Sequence, residues 1–511
     1  MSGNRHPEAA RRYHDATAHS PQSVRAGSHG LDWDTKPEPF KIYPGLPVVA
    51  LPRDFAVPAL DALAAISTEP GGAAPLDLER LAALLFFSAG VTRRRSYPGG
   101  GTMYFRAAPS TGALYQTEVY VVAGDVAGLL PGVYHFSPGD FALRRMREGD
   151  FRGALAIAAA DDDLASRPAT LILSAIYWRN TWKYQARGYR HLFWDSGSML
   201  SNLLAAATAL DLPARAITGF VDLEVNGLLA LDAEKEGALL LAPVGGQGRP
   251  APVSPVIAAI TPEVIPLGSS EVDYPLLRDA YENSSLDGES EVQAWREASW
   301  QRRPLAGALV ALPTPRPSAV RTLAETITAR GSTRQFSGEA IGSGDLSAAL
   351  WHATRAWLTD VPSGLVDLYL AVHAVDGIEP GAYAYHPESH ALDLIKRGDF
   401  RERSAFLCLD QSLGGMSSAT VFFLADLDAL LEEFGNRGYR LANLEAGLIG
   451  GRLYLAAYAL RFGATGLTFY DRDVVDFFSP HALGKDAIFV TALGRSVKGP
   501  AQSPAPLQIT R

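Results

Sequence analysis

The sequence predicts an α+β fold that occurs twice in one chain, with the two copies pairing as a pseudo-dimer inside the molecule. The run Arg-Gly-Tyr-Arg occurs at 187–190 and again at 437–440, an offset of 250 residues (437 minus 187), and a long apolar stretch follows each copy. The segment GVYHFSPGDFALRRMREGDF (132–151) likewise matches GAYAYHPESHALDLIKRGDF (381–400). This period is far too long for a solenoid, so it indicates a duplicated domain.

Each unit is expected to contain the same elements in the same order. A helix comes first, apolar strands follow, and a buried strand leads into a long apolar helix from about Asp195 or Glu445, before a closing strand. Strands at both ends of a helical centre are typical of α+β domains. The matched segments are LDLERLAALLFFSAG (76–90), EVYVVA (118–123), GVYHFS (132–137), ATLILSAIY (169–177) and GALLLAPVG (237–245) in the first unit, and GDLSAALWHAT (344–354), LYLAVHA (368–374), GAYAYH (381–386), ATVFFLADL (419–427) and AIFVTALG (487–494) in the second.

The remaining segments are expected to lie outside the two units. The linker is rich in proline, as in GRPAPVSPVIAAITPEVIPLG (248–268), and a helical segment, SEVQAWREASW (290–300), interrupts it. The predicted division is an N-terminal arm at 1–48, a first unit at 49–245, a linker at 246–318 and a second unit at 319–511.

Length, composition and charge narrow the class of protein. The chain has 511 residues, of which 47% are hydrophobic and 20% charged, as expected of two globular domains. A net charge of −9 argues against a nucleic-acid partner. No apolar run approaches the roughly 20 residues of a membrane span, the opening residues lack a signal-peptide pattern, and a single cysteine fits a reducing compartment. A cytoplasmic protein without membrane contact is therefore expected.

Common nucleotide, hydrolase and metal motifs are absent. The sequence contains no G-x-G-x-x-G after a strand, no Walker loop, no H-E-x-x-H and no G-x-S-x-G. His386 and His390 have the spacing of metal ligands on a helix, but Pro387 between them favours a solvated loop. No metal site is expected.

Two segments differ between the units in complementary ways. The second unit opens with RGSTRQF (330–336), whose arginines and serine suit a phosphate, whereas the matching AISTEPGGAAPLDL (65–78) lacks both arginines. The first unit has RAAPSTGALYQTEVY (106–120), a loop of small residues that lets backbone amides approach a flat ligand, and the second shortens it to VPSGLVDLY (361–369). An R-x-S-x-R run alone is usually a solvated helix start. The complementary losses predict one complete and one degenerate cleft between the units.

These motifs resemble those of a known family. The R-x-S-x-R-x-F run, the P-S-x-G loop before a strand and the turn at 466–468 are similar to the flavin nitroreductase superfamily. YHDATAHSPQSVR (13–25) and KYQARGYR (183–190) resemble its SagB-type azoline dehydrogenases, which act in the biosynthesis of thiazole- and oxazole-modified peptides. The likeness extends from about Tyr13 to Arg495. It implies a duplicated nitroreductase-like fold, with FMN held between two units of one chain.

The resemblance also assigns cofactor-binding residues. It implies that groups from both units hold the FMN phosphate, ribityl chain and ring, and that positive charge and N–H donors near the ring stabilise its reduced form. The residues carried over are Arg330, Ser332 and Arg334 for the phosphate and ribityl chain, Pro109, Ser110 and Gly112 with Arg106 nearby, the Gly466-Leu467-Thr468 turn for the ring, and Arg495 as a further phosphate partner.

A Lys-Tyr pair is the predicted catalytic group. Lys183 and Tyr184 match the pair that serves the oxidation in the azoline dehydrogenases, and the second unit has Glu433 and Phe434 in their place. A lysine with a lowered pKa is a suitable base and tyrosine a suitable proton relay. The alternative is a surface lysine beside a tyrosine that packs the helix start. Residues retained in both units, such as Arg190 and Asp195, are interpreted as scaffold, for instance an ion pair at a helix N-terminus.

Three functions are consistent with these residues. The first is an FMN-dependent dehydrogenase acting on an azoline-type or related ring in a modified peptide, with a cyclodehydratase or other biosynthetic enzyme as a possible partner. The second is an NAD(P)H-dependent nitroreductase or quinone reductase on the same fold, acting on a small molecule. The third is a non-catalytic flavin-binding subunit of a peptide-modifying complex. The Lys-Tyr pair favours the first.

Overall fold

The computed structural model describes residues 3–27, 30–97, 101–302 and 309–497. Outside the described residues are the end of the predicted second unit (498–511), part of the linker (303–308), part of the first unit (98–100) and parts of the arm (1–2 and 28–29). None of the described helices is both long and apolar enough to cross a membrane.

Groups of strands and groups of helices follow one another along the described chain, with short 3₁₀ turns between some of them. The strands are β1 (Val48–Ala50), β2 (Val91–Tyr97), β3 (Gly101–Arg106), β4 (Thr117–Ala123), β5 (Gly132–Ser137), β6 (Ala142–Glu148), β7 (Ala169–Ile176), β8 (Glu236–Val244), β9 (Leu309–Ala311), β10 (Asp367–Val372), β11 (Gly381–His386), β12 (Ala391–Arg397), β13 (Ala419–Ala425), β14 (Gly463–Gly466) and β15 (Asp486–Gly494). The helices are α1 (Glu8–Ala16), α2 (Pro21–Ala26), α3 (Ala62–Ser67), α4 (Leu78–Ala89), α5 (Arg152–Ala158), α6 (Tyr177–Tyr184), α7 (Gly188–Ala209), α8 (Asp222–Leu228), α9 (Pro275–Asn283), α10 (Glu289–Arg296), α11 (Leu323–Ala329), α12 (Ser343–Ala353), α13 (Arg401–Leu407), α14 (Ser412–Met416), α15 (Leu427–Phe434), α16 (Arg437–Ala459) and α17 (Asp471–Phe478).

Each unit is built on one antiparallel sheet. The strand order is β1-β6-β5-β4-β7-β8 in the first unit and β14-β15-β13-β10-β11-β12-β9 in the second. The central strands β4, β7, β10 and β13 are buried along their whole length, which explains their continuous apolar sequences. The predicted duplicated α+β fold is confirmed.

Two long helices, α7 and α16, join the units back to back. A Cβ added to Gly197 would lie well under 3.0 Å from the backbone of Leu444, and one added to Gly447 would lie equally close to Trp194. The contact is reciprocal, because Gly447 and Leu444 are each 250 residues after Gly197 and Trp194 (447 minus 197, 444 minus 194). Such reciprocity is the mark of a two-fold interface, here between halves of one chain.

The repeated Arg-Gly-Tyr-Arg runs form buried ion pairs across this interface. Arg187 and Arg190 of the first unit both bind Asp471 of the second, with 3.0 Å between Arg187 Nη1 and Asp471 Oδ2. In mirror fashion, Asp222 of the first unit binds Arg437 and Arg440 of the second, each at 2.7 Å. The neighbouring arginines hold the pKa of both aspartates below the usual range, against the effect of burial.

Both long helices begin earlier than the apolar pattern predicts. They start at Gly188 and Arg437, not near Asp195 and Glu445. Arg190 and Arg440 in their first turns are polar, but they are buried because each binds an aspartate of the other unit. The preceding turns contain Gln185 and Gly435 at positive φ, which ends α6 and α15 and allows the long helices to start.

The arm and linker pack over both units. Tyr13 of the arm donates to the carbonyl of Ala186 in the first unit, and Asn436 of the second unit accepts from the N–H of Ala10. β9, which lies inside the predicted linker, pairs with β12 of the second sheet. The boundaries at 48, 245 and 318 stay predictions.

We expect the buried ion pairs to contribute strongly to stability. Replacing Asp222 or Asp471 by Asn leaves two arginines buried without their carboxylate, so each variant should lose about 3–5 kcal/mol of unfolding free energy. Urea unfolding followed by circular dichroism measures the loss. Asp162→Asn, at an exposed site, is the control and should stay within about 0.5 kcal/mol of the native protein. Equal stability of all three variants would contradict the assignment.

Candidate active site

Groups from both units meet in one cleft, termed the first cleft. Residues 106–115 come from the first unit, and residues 330–334 and 466–469 from the second. Arg330 joins the two sides, because its Nε and Nη2 donate to the carbonyls of Ala107 and Arg106 at 3.0 and 2.9 Å. The Arg330 side chain is buried, and these two hydrogen bonds hold the units together at this point.

The predicted loop at 109–112 is held by Asp195. The Asp195 carboxylate accepts from the hydroxyl of Ser110 at 2.6 Å and from the N–H of Thr111 at 2.8 Å. Burial raises the pKa of Asp195 to about 6, although these hydrogen bonds oppose the rise. Glu445 holds the corresponding loop of the second unit, where it accepts from the backbone N–H of Gly364 at 2.7 Å. The pair is scaffold as predicted, but it anchors a loop and forms no ion pair with Arg190.

Gly112 brings this loop against Tyr184. Gly112 has φ +64°, and a Cβ there would lie 2.9 Å from the Tyr184 hydroxyl. A side chain would therefore be strained and would clash, which explains the glycine. Pro109 is half-buried beside it and Gly112 itself is exposed.

The turn at 466–469 presents free backbone donors. Gly466 N–H donates to the hydroxyl of Tyr454 at 2.6 Å, and that hydroxyl lies 3.2 Å from Ser332 Oγ. Leu467 N–H is used by the sheet, since it donates to Val490. Within the described part of the chain, the N–H groups of Thr468 and Phe469 have no acceptor.

Lys183 and Tyr184 lie within electrostatic range of Arg334 from the other unit. Lys183 Nζ is 5.3 Å from the centre of the Tyr184 ring. Partial burial and the charge of Arg334 lower the pKa of Lys183, although the side chain is exposed overall. Burial and the nearby Asp195 raise the pKa of Tyr184. Lys183 thus loses its proton more easily than an ordinary lysine, and the Tyr184 phenol beside it keeps its proton.

Two predicted arginines direct their side chains elsewhere. Arg106 is buried, its Nη2 donates to the carbonyl of Pro39 at 2.6 Å, and burial lowers its pKa to about 10. Arg495 is exposed and its Nε donates to the carbonyl of Ala340 at 2.8 Å. Their roles as cofactor ligands stay predictions.

A buried histidine outside the predicted motifs packs against Tyr184. The His191 ring packs edge-on against Tyr184, with 4.6 Å between ring centres, and its Nδ1 lies 2.8 Å from Asn180 Oδ1. The corresponding residues of the second unit, 250 positions later, are Leu441 and Leu430. The comparison of units that singled out Lys183 and Tyr184 could have found this pair too.

The equivalent second cleft is filled by the chain itself. Asp360 Oδ1 and Oδ2 accept from the N–H groups of Thr218 and Gly219, both at 2.8 Å, and these are the counterparts of Thr468 and Phe469. Trp295 from the linker packs on Phe434, the counterpart of Tyr184, with 5.9 Å between rings. The donors that are free in the first cleft are therefore satisfied in the second.

One residue difference accounts for much of this contrast. When the loops are aligned at Pro109 and Pro362, Asp360 corresponds to Ala107. Alanine offers no carboxylate to the N–H groups of the opposite turn, so those groups stay free in the first cleft. The difference between Ala107 and Asp360 is visible in the sequence once the two loops are aligned.

Comparison with known proteins assigns the fold. The model of the nitroreductase family matches residues 73–246 and 327–483, so both units are matched. The chain belongs to the nitroreductase family. This confirms the predicted nitroreductase-like duplication and makes the chain a nitroreductase-family oxidoreductase. Members of the family generally bind FMN.

Individual proteins similar to this chain also include members of the nitroreductase family. It is 36% identical to the nitroreductase-family protein MJ1384 of Methanocaldococcus jannaschii over 172 residues, 34% of this chain and 81% of that protein. It is 28% identical to the microcin B17-processing protein McbC of Escherichia coli over 142 residues, 27% of this chain and only 52% of that protein. A crystal structure of a nitroreductase-family protein from Anabaena variabilis matches with a TM-score of 0.76 and 28% identity, over 96% of this chain and 99% of that one.

We expect the pKa of Lys183 to depend on Arg334. Removing the neighbouring charge in Arg334→Gln should raise that pKa toward the ordinary lysine value of 10.5, because the ammonium form is then less disfavoured. The measurement is acetic-anhydride labelling of flavin-free protein across pH, with Lys183 acetylation quantified by peptide mass spectrometry. Arg53→Gln, at an exposed site of the first unit, is the matched control. An unchanged labelling midpoint in Arg334→Gln would rule out the coupling.

Proposed function

We propose that this chain is an FMN-dependent dehydrogenase that oxidises an azoline-type or related amino-acid-derived ring in a modified peptide. The observation that carries the proposal is the asymmetry of the clefts. Lys183, Tyr184 and Arg334 lie in the cleft whose opposite turn has free N–H donors, whereas the second cleft has Phe434 and its donors are taken by Asp360. One cleft is equipped for ligand and catalysis, and the other for packing.

The groups of the first cleft fit FMN. The N–H groups of Thr468 and Phe469 are suited to the oxygen and nitrogen edge of a flavin ring, and Ser332 to the ribityl chain or phosphate. Arg334 has no carboxylate partner among the described residues, so its charge is available to an anionic ligand. When bound, FMN would supply the acceptor for a hydride and its electron pair.

The Lys-Tyr pair fits the other half of the oxidation. Conversion of a thiazoline or oxazoline to an azole breaks two C–H bonds, one giving a proton and the other a hydride, and leaves a ring double bond. Neutral Lys183 would take the proton. The lowered pKa of Lys183 enlarges its neutral fraction at a given pH. The rate should therefore rise with pH, and the midpoint of that rise should lie at a lower pH than for an ordinary lysine. Tyr184, whose pKa is raised, would stay protonated and donate a hydrogen bond to the ring or relay the proton.

A peptide substrate is supported by similarity. The chain is 28% identical over its matched part to a protein named for microcin B17 processing. An azoline ring in a peptide must come from an earlier cyclodehydration, so we propose a cyclodehydratase as the functional partner and the cytoplasm as the place of action.

A general NAD(P)H-dependent nitroreductase is the second candidate. It is favoured by the 36% identity to MJ1384, and such an enzyme needs only bound flavin and a hydride donor. A non-catalytic flavin-binding subunit is the third. Neither alternative requires Lys183 or Tyr184, so both predict native rates in variants of the pair, whereas the azoline dehydrogenase predicts a large loss.

Lys183→Ala and Tyr184→Phe should each reduce turnover about 10²- to 10⁴-fold, because each removes an acid/base group while leaving the flavin contacts in place. The substrate is a synthetic peptide with one thiazoline ring, and mass spectrometry follows the loss of two hydrogens. Lys235→Ala, at an exposed lysine whose Nζ pairs with Glu271, should keep native turnover. The double change Glu433→Lys, Phe434→Tyr should rescue neither variant. The second candidate would be supported if both single variants kept the native rate of thiazoline oxidation and the protein reduced nitro compounds with NAD(P)H.

Purified protein should contain about one FMN per chain. The second cleft offers Asp360 and Trp295 where the first offers free donors, so it should bind no flavin. Flavin released by heat is quantified by absorbance against total protein. A ratio close to two would overturn the single-site assignment.

A further inference from the structure

The first unit carries a hairpin that the second lacks. β2 and β3 form a two-stranded sheet of their own between α4 and β4. The second unit spans the same interval, from α12 to β10, with the short segment 354–366. A cleft-side insertion found only in the unit that supplies the 106–115 loop is a candidate for a function in the first cleft.

Arg93 of this hairpin lies against the R-G-S-T-R segment of the other unit. It pairs across the hairpin with Phe105, and its guanidinium stacks on that ring at 4.3 Å. Arg93 Nη2 is 4.0 Å from the Cβ position of Gly331, the residue between Arg330 and Ser332, and the hydroxyl of Tyr458 is 3.7 Å from it. Two hydrogen-bond donors, one from each unit, therefore lie about 4 Å from the Gly331 Cβ position.

The charge of Arg93 is not neutralised by an acid of the described chain, although the guanidinium stacks on Phe105. Across the described ranges it has no carboxylate partner, and it repels the neighbouring Arg330. Arg330, by contrast, has two nitrogens committed to backbone carbonyls of the first unit. Two adjacent cations without an acid, in a chain of net charge −9, indicate a site for an anionic group.

The second cleft lacks this arrangement. α3 and α11 are capped by Asp61 and Thr322, so Glu69 stands where Arg330 stands in the second unit. There is an acid in place of the arginine and no hairpin to bring a further cation. The positive site is a property of the first cleft.

We infer that Arg93 binds the phosphate group of the cofactor, across the unit boundary from Ser332. The inference rests on the proposed function and adds a residue that the family motif does not contain. The stacking on Phe105 fixes the plane of the guanidinium, so its paired N–H groups can meet two phosphate oxygens with little loss of entropy. Tyr458 supplies a further donor, and Arg330 stabilises the site through its charge while it clamps the loop.

The test compares FMN with riboflavin, which has the same ring without the phosphate. Flavin-free native protein, Arg93→Gln and Arg94→Gln are titrated with each flavin, and binding is followed by quenching of flavin fluorescence. Arg94 is exposed on the same strand and serves as the matched control. Arg93→Gln should weaken FMN binding about ten- to a hundredfold. It should leave riboflavin affinity within about twofold, and Arg94→Gln should change neither.

The outcomes separate the two levels of the proposal. Equal weakening of FMN and riboflavin by Arg93→Gln would mean that the hairpin only shapes the cleft, and unchanged FMN affinity would mean that the phosphate lies elsewhere. Either result overturns the inference while leaving flavin binding intact. Native protein that binds neither flavin would overturn the proposed function itself. Retained riboflavin binding by the variant also shows that it is folded.

Discussion

The close crossing of α7 and α16 is the constraint on which the rest of the molecule depends. At Gly197 and Gly447 there is no room for a side chain, so the two backbones touch and the relation between the units is fixed. Two clefts follow from that relation, one on each side of the crossing, and each takes a loop from one unit and a turn from the other. The relative position of the loop and the turn in each cleft is therefore set by helix packing.

Duplication within one chain allows the two clefts to diverge. In a homodimer of identical chains, a substitution appears in both clefts at once. Here Ala107 and Asp360 occupy equivalent positions but face different clefts, so one cleft keeps its donors free while the other satisfies them internally. The linker strengthens the difference, because Trp295 fills only the second cleft. A buried donor without a partner is costly, so Asp360 stabilises the second cleft by accepting from two backbone N–H groups.

The fold was predictable from sequence to the extent that its determinants are local or repeated. The 250-residue register and the continuous apolar strands indicated a duplicated α+β domain, and both are found. The start of α7 was not predictable, because Arg187 and Arg190 are buried by Asp471, nearly three hundred residues away. Side-chain direction was also out of reach. Arg106 matches a motif, yet its guanidinium faces Pro39, and only three-dimensional packing decides this.

The buried ion pairs connect the scaffold to the chemistry. Arg187 follows Tyr184 by three residues, and its partner Asp471 follows Thr468 by three, so the ion pair fixes the separation between the Lys-Tyr pair and the turn that presents free N–H groups. The same bond in the second cleft joins Arg437, three residues after Phe434, to Asp222. The second cleft has Glu433 and Phe434 in place of Lys183 and Tyr184, yet it keeps the ion pair, which stabilises the interface. Retention in both units thus marks residues that set the geometry of the interface, whereas the residues that differ between the units are those on which the proposed function depends.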